Sequence, residues 1–116
     1  MHNIQDLKIW QKAIDLCVLV YEISAKFPND ERFGLISQIR RSGVSIASNI
    51  AEGAGRNTNG EFVQFLGIAN GSAYELQTQV IIAHKLNLVS DIAEILNKID
   101  EIQKMNYRLQ QTLKKK

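Results

Sequence analysis

The chain contains a single cysteine, Cys17, so no intramolecular disulfide can form. That fits a reducing compartment and excludes a disulfide scaffold. Proline also occurs once, at Pro28, and 45% of the residues are hydrophobic, which argues against disorder. The longest uncharged stretch, Phe62 to Tyr74, carries Gln64, Asn70 and Ser72. It falls well short of the roughly 20 apolar residues that a membrane span needs, so no membrane association is expected. The opening Met1-His2-Asn3-Ile4-Gln5-Asp6 has no charged segment followed by an apolar run, so no signal peptide is expected. A cytoplasmic location follows as the expectation. At 116 residues the chain suits one domain with a core of its own.

Charge is scarce too. The formal net charge is +2, and without Lys114, Lys115 and Lys116 there are 11 basic residues against 12 acidic ones. The body is therefore not globally basic. One segment departs from that balance: Arg32 to Gly60 holds Arg32, Arg40, Arg41 and Arg56 against Glu52 alone. Any affinity for polyanions must rest on this local excess and the lysine tail.

Catalytic constellations are missing. His2 and His84 have no Cys, His or carboxylate at zinc-ligand spacing. There is no Glu-x-x-His pair of the kind that builds di-iron bundles. Gly53-Ala54-Gly55 lacks the Lys and Ser/Thr of a phosphate loop. Cys17 falls on an apolar helix face, which suits a structural thiol better than a nucleophile. No enzyme activity, metal or cofactor is expected.

What is present is helical periodicity, in four segments without an alternating strand pattern. The first runs from about Asp6 to Lys26, with Leu7, Trp10, Ile14, Cys17, Tyr21 and Ser24 on one face and Ala13 and Val18 widening it. Phe27-Pro28-Asn29-Asp30 ends it. The second runs from about Gly34 to Ala54, with Ile36, Ile39, Gly43, Ile46, Ala47 and Ile50 inward and Gly53 and Gly55 at its C-terminal end. The third opens on a capping box, Thr58 and Glu61, and continues to about Leu86, with Asn87 as its stop. Its face is Phe62, Leu66, Ala69, Ala73, Leu76 and Val80. In the fourth, Ser90 caps and Asp91 suits the helix dipole. Its seam is Ile92, Ile95, Ile99, Ile102, Leu109 and Leu113. Asn106 interrupts that seam, either as a register-fixing residue or at the edge of the core. Short connections make neighbours antiparallel, so the expected architecture is an all-α, up-down-up-down four-helix bundle over residues 1–113, followed by a basic tail, 114–116.

Two polar stripes stand out. Gln38, Arg41, Ser45, Asn49, Glu52 and Arg56 recur every three or four residues on the second helix. Glu61, Gln64, Ser72, Glu75 and Gln79 do so on the third. Facing each other, they could build an interhelical network with Arg41 or Arg56 paired to Glu75 or Glu61. Alternatively, both are solvated outer faces. Gly67 and Gly71, one turn apart, suggest a close backbone neighbour, from the bundle or from a second subunit, because glycine inside a helix costs about 1 kcal/mol.

Helix 2 also carries a resemblance. Gln38-Ile39-Arg40-Arg41-Ser42, Ser45-Ile46, Asn49-Ile50-Ala51-Glu52-Gly53 and Arg56 resemble the signature of a bacterial four-helix-bundle family, the intervening-sequence proteins. Many of these are encoded within large-subunit ribosomal RNA genes, and their name sometimes includes "ribosomal protein". Asp6-Leu7-Lys8-Ile9-Trp10-Gln11-Lys12-Ala13 is similar to the family's opening, and Phe62, Phe65-Leu66, Ala69, Gly71-Ser72 and Glu75-Leu76 to its third helix. Ala47 stands where many members carry proline. The resemblance implies a homo-oligomer, a five-membered ring, with a nucleic-acid-binding role. A more distant relative is the basic, pentameric accessory protein of diversity-generating retroelements.

Two functions follow. In one, a non-enzymatic ring binds RNA or DNA through phosphate contacts from Arg40, Arg41, Arg56, Lys114, Lys115 and Lys116, without base-specific readout. In the other, the protein is an interaction scaffold with a protein partner, and the same arginines form structural salt bridges. In both, Gln38, Ser45, Asn49, Glu52, Ser72 and Glu75 form a polar network or an oligomer interface.

Overall fold

A computed structural model of the chain describes residues 3–31 and 34–115. Among these residues the helices are α1 (Lys8–Ser24), α2 (Leu35–Ala54), α3 (Asn59–Lys85) and α4 (Ala93–Lys114), with single 3-10 turns at Ile4–Asp6 and Asn29–Glu31. The all-α, four-helix expectation holds. α2 packs most extensively on α3, while α1 touches α2 and α4, and α3 touches α4. These contacts close a square around one core, in a body of 47 × 22 × 20 Å.

Helix ends follow local chemistry. Thr58 Oγ1 accepts from the Glu61 amide at 3.2 Å and donates to the Glu61 carboxylate at 3.0 Å, so the third helix is capped as its sequence suggests. Asn87 stops that helix in the left-handed region at φ 62°. The Leu88 amide then reaches the Ala83 carbonyl, and the Asn87 amide reaches the His84 carbonyl. This satisfies carbonyls that the helix end leaves open. The fourth helix corrects the expectation: Ser90 is not its cap. The helix starts later, at Ala93, and Asp91 Oδ1 accepts from the Ala93 amide at 3.0 Å. A carboxylate there also meets the positive end of the helix dipole.

The seams of α2, α3 and α4 are buried as their spacing implies, with Ile39, Ile46 and Ile50, Phe62, Leu66 and Leu76, and Ile95, Ile99 and Ile102 in the core. The face expected for α1 is out of phase. Its buried residues are Ile9, Ala13, Leu16, Val20 and Ser24, whereas Ile14, Val18 and Tyr21 are exposed. One residue is about 100° of helix rotation, and α1 is apolar on both flanks of its true inner face, so spacing alone could not choose the phase. Ser24 is inside with its hydroxyl accepting from Arg40 of α2. Cys17 is half-buried rather than buried, and burial raises its thiol pKa, which disfavours the reactive thiolate.

Asn106 is not at the edge of the core. It is 2% exposed, and its Nδ2 donates to the Leu66 carbonyl of α3 at 2.9 Å. Its Oδ1 accepts from Gln110 Nε2 at 2.6 Å. A buried amide with both ends satisfied specifies one alignment of α4 on α3.

Two glycines mark close helix crossings. A Cβ at Gly43 would sit 3.5 Å from Val20, an ordinary contact, but at Gly53 it would lie 2.8 Å from both Phe62 and Phe65. Gly53 and Gly55 do stand at the C-terminal end of α2, with Gly55 as the cap, and Gly53 is a packing residue as well. Gly67 and Gly71 correct one half of the other glycine expectation, the neighbour within the bundle, because a Cβ at either would meet nothing within 4 Å in the chain itself. No bundle helix approaches them.

Candidate nucleic-acid interface

α2 positions most of the residues singled out above. Its inner face is fixed by Ile39, Gly43, Ile46 and Ile50, and the rest of its circumference is left to polar side chains. Towards α3 the two polar stripes do meet. Ser45 Oγ lies 2.7 Å from Ser72 Oγ, and Ser42 Oγ donates to Gln79 Oε1 at 2.9 Å. Asn49 Nδ2 donates to Ser45 Oγ at 3.0 Å and to the Ser45 carbonyl at 2.8 Å. The bonds between the helices come from neutral hydroxyls and amides. Among the described residues, no ion pair joins α2 to α3, so Arg41 and Arg56 do not pair with Glu75 or Glu61. Gln38, Glu52 and Glu75 are exposed.

The arginines divide by environment. Arg40 leans onto α1: its Nε donates to Ser24 Oγ at 2.8 Å, its Nη2 reaches the Tyr21 carbonyl at 3.4 Å, and its guanidinium sits 4.5 Å from the Tyr21 ring centre. The last turn of α1 has no basic residue of its own. Arg40 places a cation at that negative end of the helix dipole and adds a charged donor to the Tyr21 carbonyl, which also accepts from the Ala25 amide. Arg40→Ala is therefore expected to destabilise the fold by about 1.5–3 kcal/mol, the range for hydrogen bonds to a charged group. Urea unfolding checks this, and Arg40→Lys should recover only part of the loss, because an ammonium cannot stack and fork in the same way.

Arg56 pairs with Glu52 at 3.4 Å and lies 4.8 Å over the Phe65 ring. Both partners of that ion pair are substantially exposed. Such a pair holds a side chain weakly and exchanges readily for another anion. Arg41 is exposed and has no partner among the described residues.

Arg40, Arg41, Ser45, Ser48 and Asn49 line one open groove of about 560 Å³ beside Tyr21. Ser48 also borders a second groove, which Ala51, Glu52, Gly55 and Arg56 continue. The two adjoin along α2 as one trough, more apolar beside Tyr21 and Val44 and more polar beside Glu52, with arginines at both ends. Fifteen residues separate Arg41 from Arg56, a rise of about 22 Å, so they would address different phosphates. Lys114 and Lys115 are exposed at the end of α4. Asn106 is bonded to Leu66, and Gly53 touches Phe62, so that end of α4 and the Arg56 end of α2 lie together. Lys116, with His2 and Arg32, lies outside the described residues. The cations thus form two groups at opposite ends of the bundle rather than one patch.

The sequence reading left Ser42 out of the polar stripe and quoted it only as part of the family-like motif. The signal was its partner: Gln79 follows Ser72 by seven residues, two turns along one face. Among the described residues, no three His, Cys, Asp or Glu side chains gather to hold a metal ion, and no helix is long and apolar enough to cross a membrane.

Comparison with known proteins places this geometry. The family model for the 23S rRNA-intervening sequence protein matches residues 5–108. No curated protein matches the chain. Among solved structures, the chain is similar to a protein with unknown function from the S23 ribosomal protein family of Bacteroides thetaiotaomicron. The two are 21% identical, and the match covers 90% of this chain and 94% of that one with a TM-score of 0.66. At that identity the likeness shows the fold alone.

Proposed function

The chain belongs to the 23S rRNA-intervening sequence protein family, and from that premise we propose that it is a non-enzymatic RNA-binding protein. It assembles as a homo-oligomer, a five-membered ring, and holds nucleic acid by the phosphate backbone along α2. The observation that carries this reading is the open trough on α2, with Arg41, which has no partner among the described residues, at one end and a weakly held Arg56 at the other. Between them the exposed Ser48 hydroxyl suits phosphate and sugar oxygens, while Ser45 and Asn49 are held in the network with α3. A single subunit offers few cations, so the ring supplies the affinity by repetition. Lys114 and Lys115 extend the basic surface beyond the Arg56 end.

Contacts to phosphate release counterions, so affinity falls linearly on a logarithmic salt scale. Arg41→Ala is expected to weaken binding of all RNA sequences alike and to flatten the salt slope by about 0.7–0.9 for each phosphate lost. Fluorescence anisotropy across a salt series measures both. A wild-type oligomer with no salt-sensitive affinity for RNA or DNA at low ionic strength sinks the proposal.

A second reading has its own support. Arg40 is held by Ser24 and Tyr21, and Arg56 by Glu52 and Phe65, so two of the three arginines serve the fold. A protein-interaction scaffold would use them in that way. Co-purification with a protein partner, at an ultraviolet absorbance ratio free of nucleic acid, favours this reading.

A further inference from the structure

The chain's two most exposed tyrosines, Tyr74 on α3 and Tyr107 on α4, are 59% and 66% exposed. They line one open groove with Asp100, Gln103, Lys104 and Arg108, on a different pair of helices from the α2 trough. Lys104 is paired with Asp100 at 2.9 Å, whereas the Arg108 side chain has no partner among the described residues. The groove therefore carries one unbalanced positive charge.

We propose that the α3–α4 groove binds unpaired bases of single-stranded RNA, stacked on Tyr74 and Tyr107 with Arg108 on the adjoining phosphate. The proposal rests on the nucleic-acid reading above but concerns a separate surface and a non-electrostatic term. Every base presents a π-face, so stacking on exposed aromatics beside a cation suits single strands of any sequence. Duplex bases are already stacked and would gain nothing from the tyrosines. A second copy of the chain is the competing occupant. However, the centre of a subunit contact is depleted in charge, and here Asp100, Lys104 and Arg108 make up half of the groove's lining.

The test compares fluorescein-labelled oligouridine with an RNA duplex on the full-length protein, by anisotropy across a salt series. Both tyrosines are exposed, so Tyr74→Leu and Tyr107→Leu should keep the fold, which circular dichroism checks. Each is expected to weaken oligouridine binding about tenfold, to leave the duplex unaffected and to leave the salt slope unchanged. Tyr74→Phe and Tyr107→Phe should bind as wild type. Arg108→Ala should flatten the single-strand slope by about 0.7. Leucine variants that bind oligouridine as tightly as wild type overturn the stacking proposal and leave the α2 reading intact. Leucine variants that lose both ligands together with a shift in gel-filtration elution assign the groove to contact between copies and overturn it. A wild-type protein that binds neither probe at low salt overturns both readings.

Discussion

Gly53→Ala is expected to lower the melting temperature by about 8 °C, from a net loss of about 2 kcal/mol. Alanine at a helix interior normally gains about 1 kcal/mol over glycine, so the sign here is set by packing. The new methyl would lie 2.8 Å from a ring carbon of Phe62 and from the Cβ of Phe65. A ring can rotate, but a Cβ moves only with its backbone, so α3 would have to retreat from α2. Gly43→Ala is the control. Its methyl would rest at ordinary contact distance from Val20, and the variant should be as stable as wild type or slightly more so. Thermal melts of the two variants measure the difference. Similar behaviour in both would mean that the α2–α3 crossing is looser than described.

Asn106→Ala is expected to cost about 2–3 kcal/mol in urea unfolding. It removes the bond to the Leu66 carbonyl and the acceptor of Gln110, and it leaves a small void among Ile102, Leu66 and their neighbours. Asn106→Leu should cost less, within about 1 kcal/mol, because leucine fills the volume and Gln110 is only half-buried and can turn to water. Its effect should appear instead as looser alignment of α4. Equal losses for alanine and leucine would show that volume plays little part and the hydrogen bond dominates.

Much of the fold was legible because three of the helices carry a single apolar face. Phe62, Leu66, Ala69, Ala73, Leu76 and Val80 step along α3 without a rival, and all are buried. α1 failed for the opposite reason. With Trp10, Ile14 and Val18 flanking Ile9, Ala13 and Leu16, two phases fit equally well, and only the shape of α2 decides between them. Glycine was ambiguous in another way: Gly53 reads as a helix end and Gly67 as a contact, yet the first is a contact as well and the second is bare within the chain. Spacing alone cannot report what lies opposite a residue. The same limit applied to the site. Spacing put Arg41 in the polar stripe of α2 and left Arg40 outside it, but it could not show that Tyr21 and Ser24 wait beneath Arg40.

The paired hydroxyls between α2 and α3 act as a vernier. Ser42–Gln79 and Ser45–Ser72 sit one turn apart on α2 and two turns apart on α3, at opposite offsets. Sliding either helix by one residue breaks both bonds at once, so neither can be traded for the other. The two bonds therefore specify a single register of α2 on α3, the most extensively packed pair of helices in the bundle, and with it the side of α3 that the arginine trough borders.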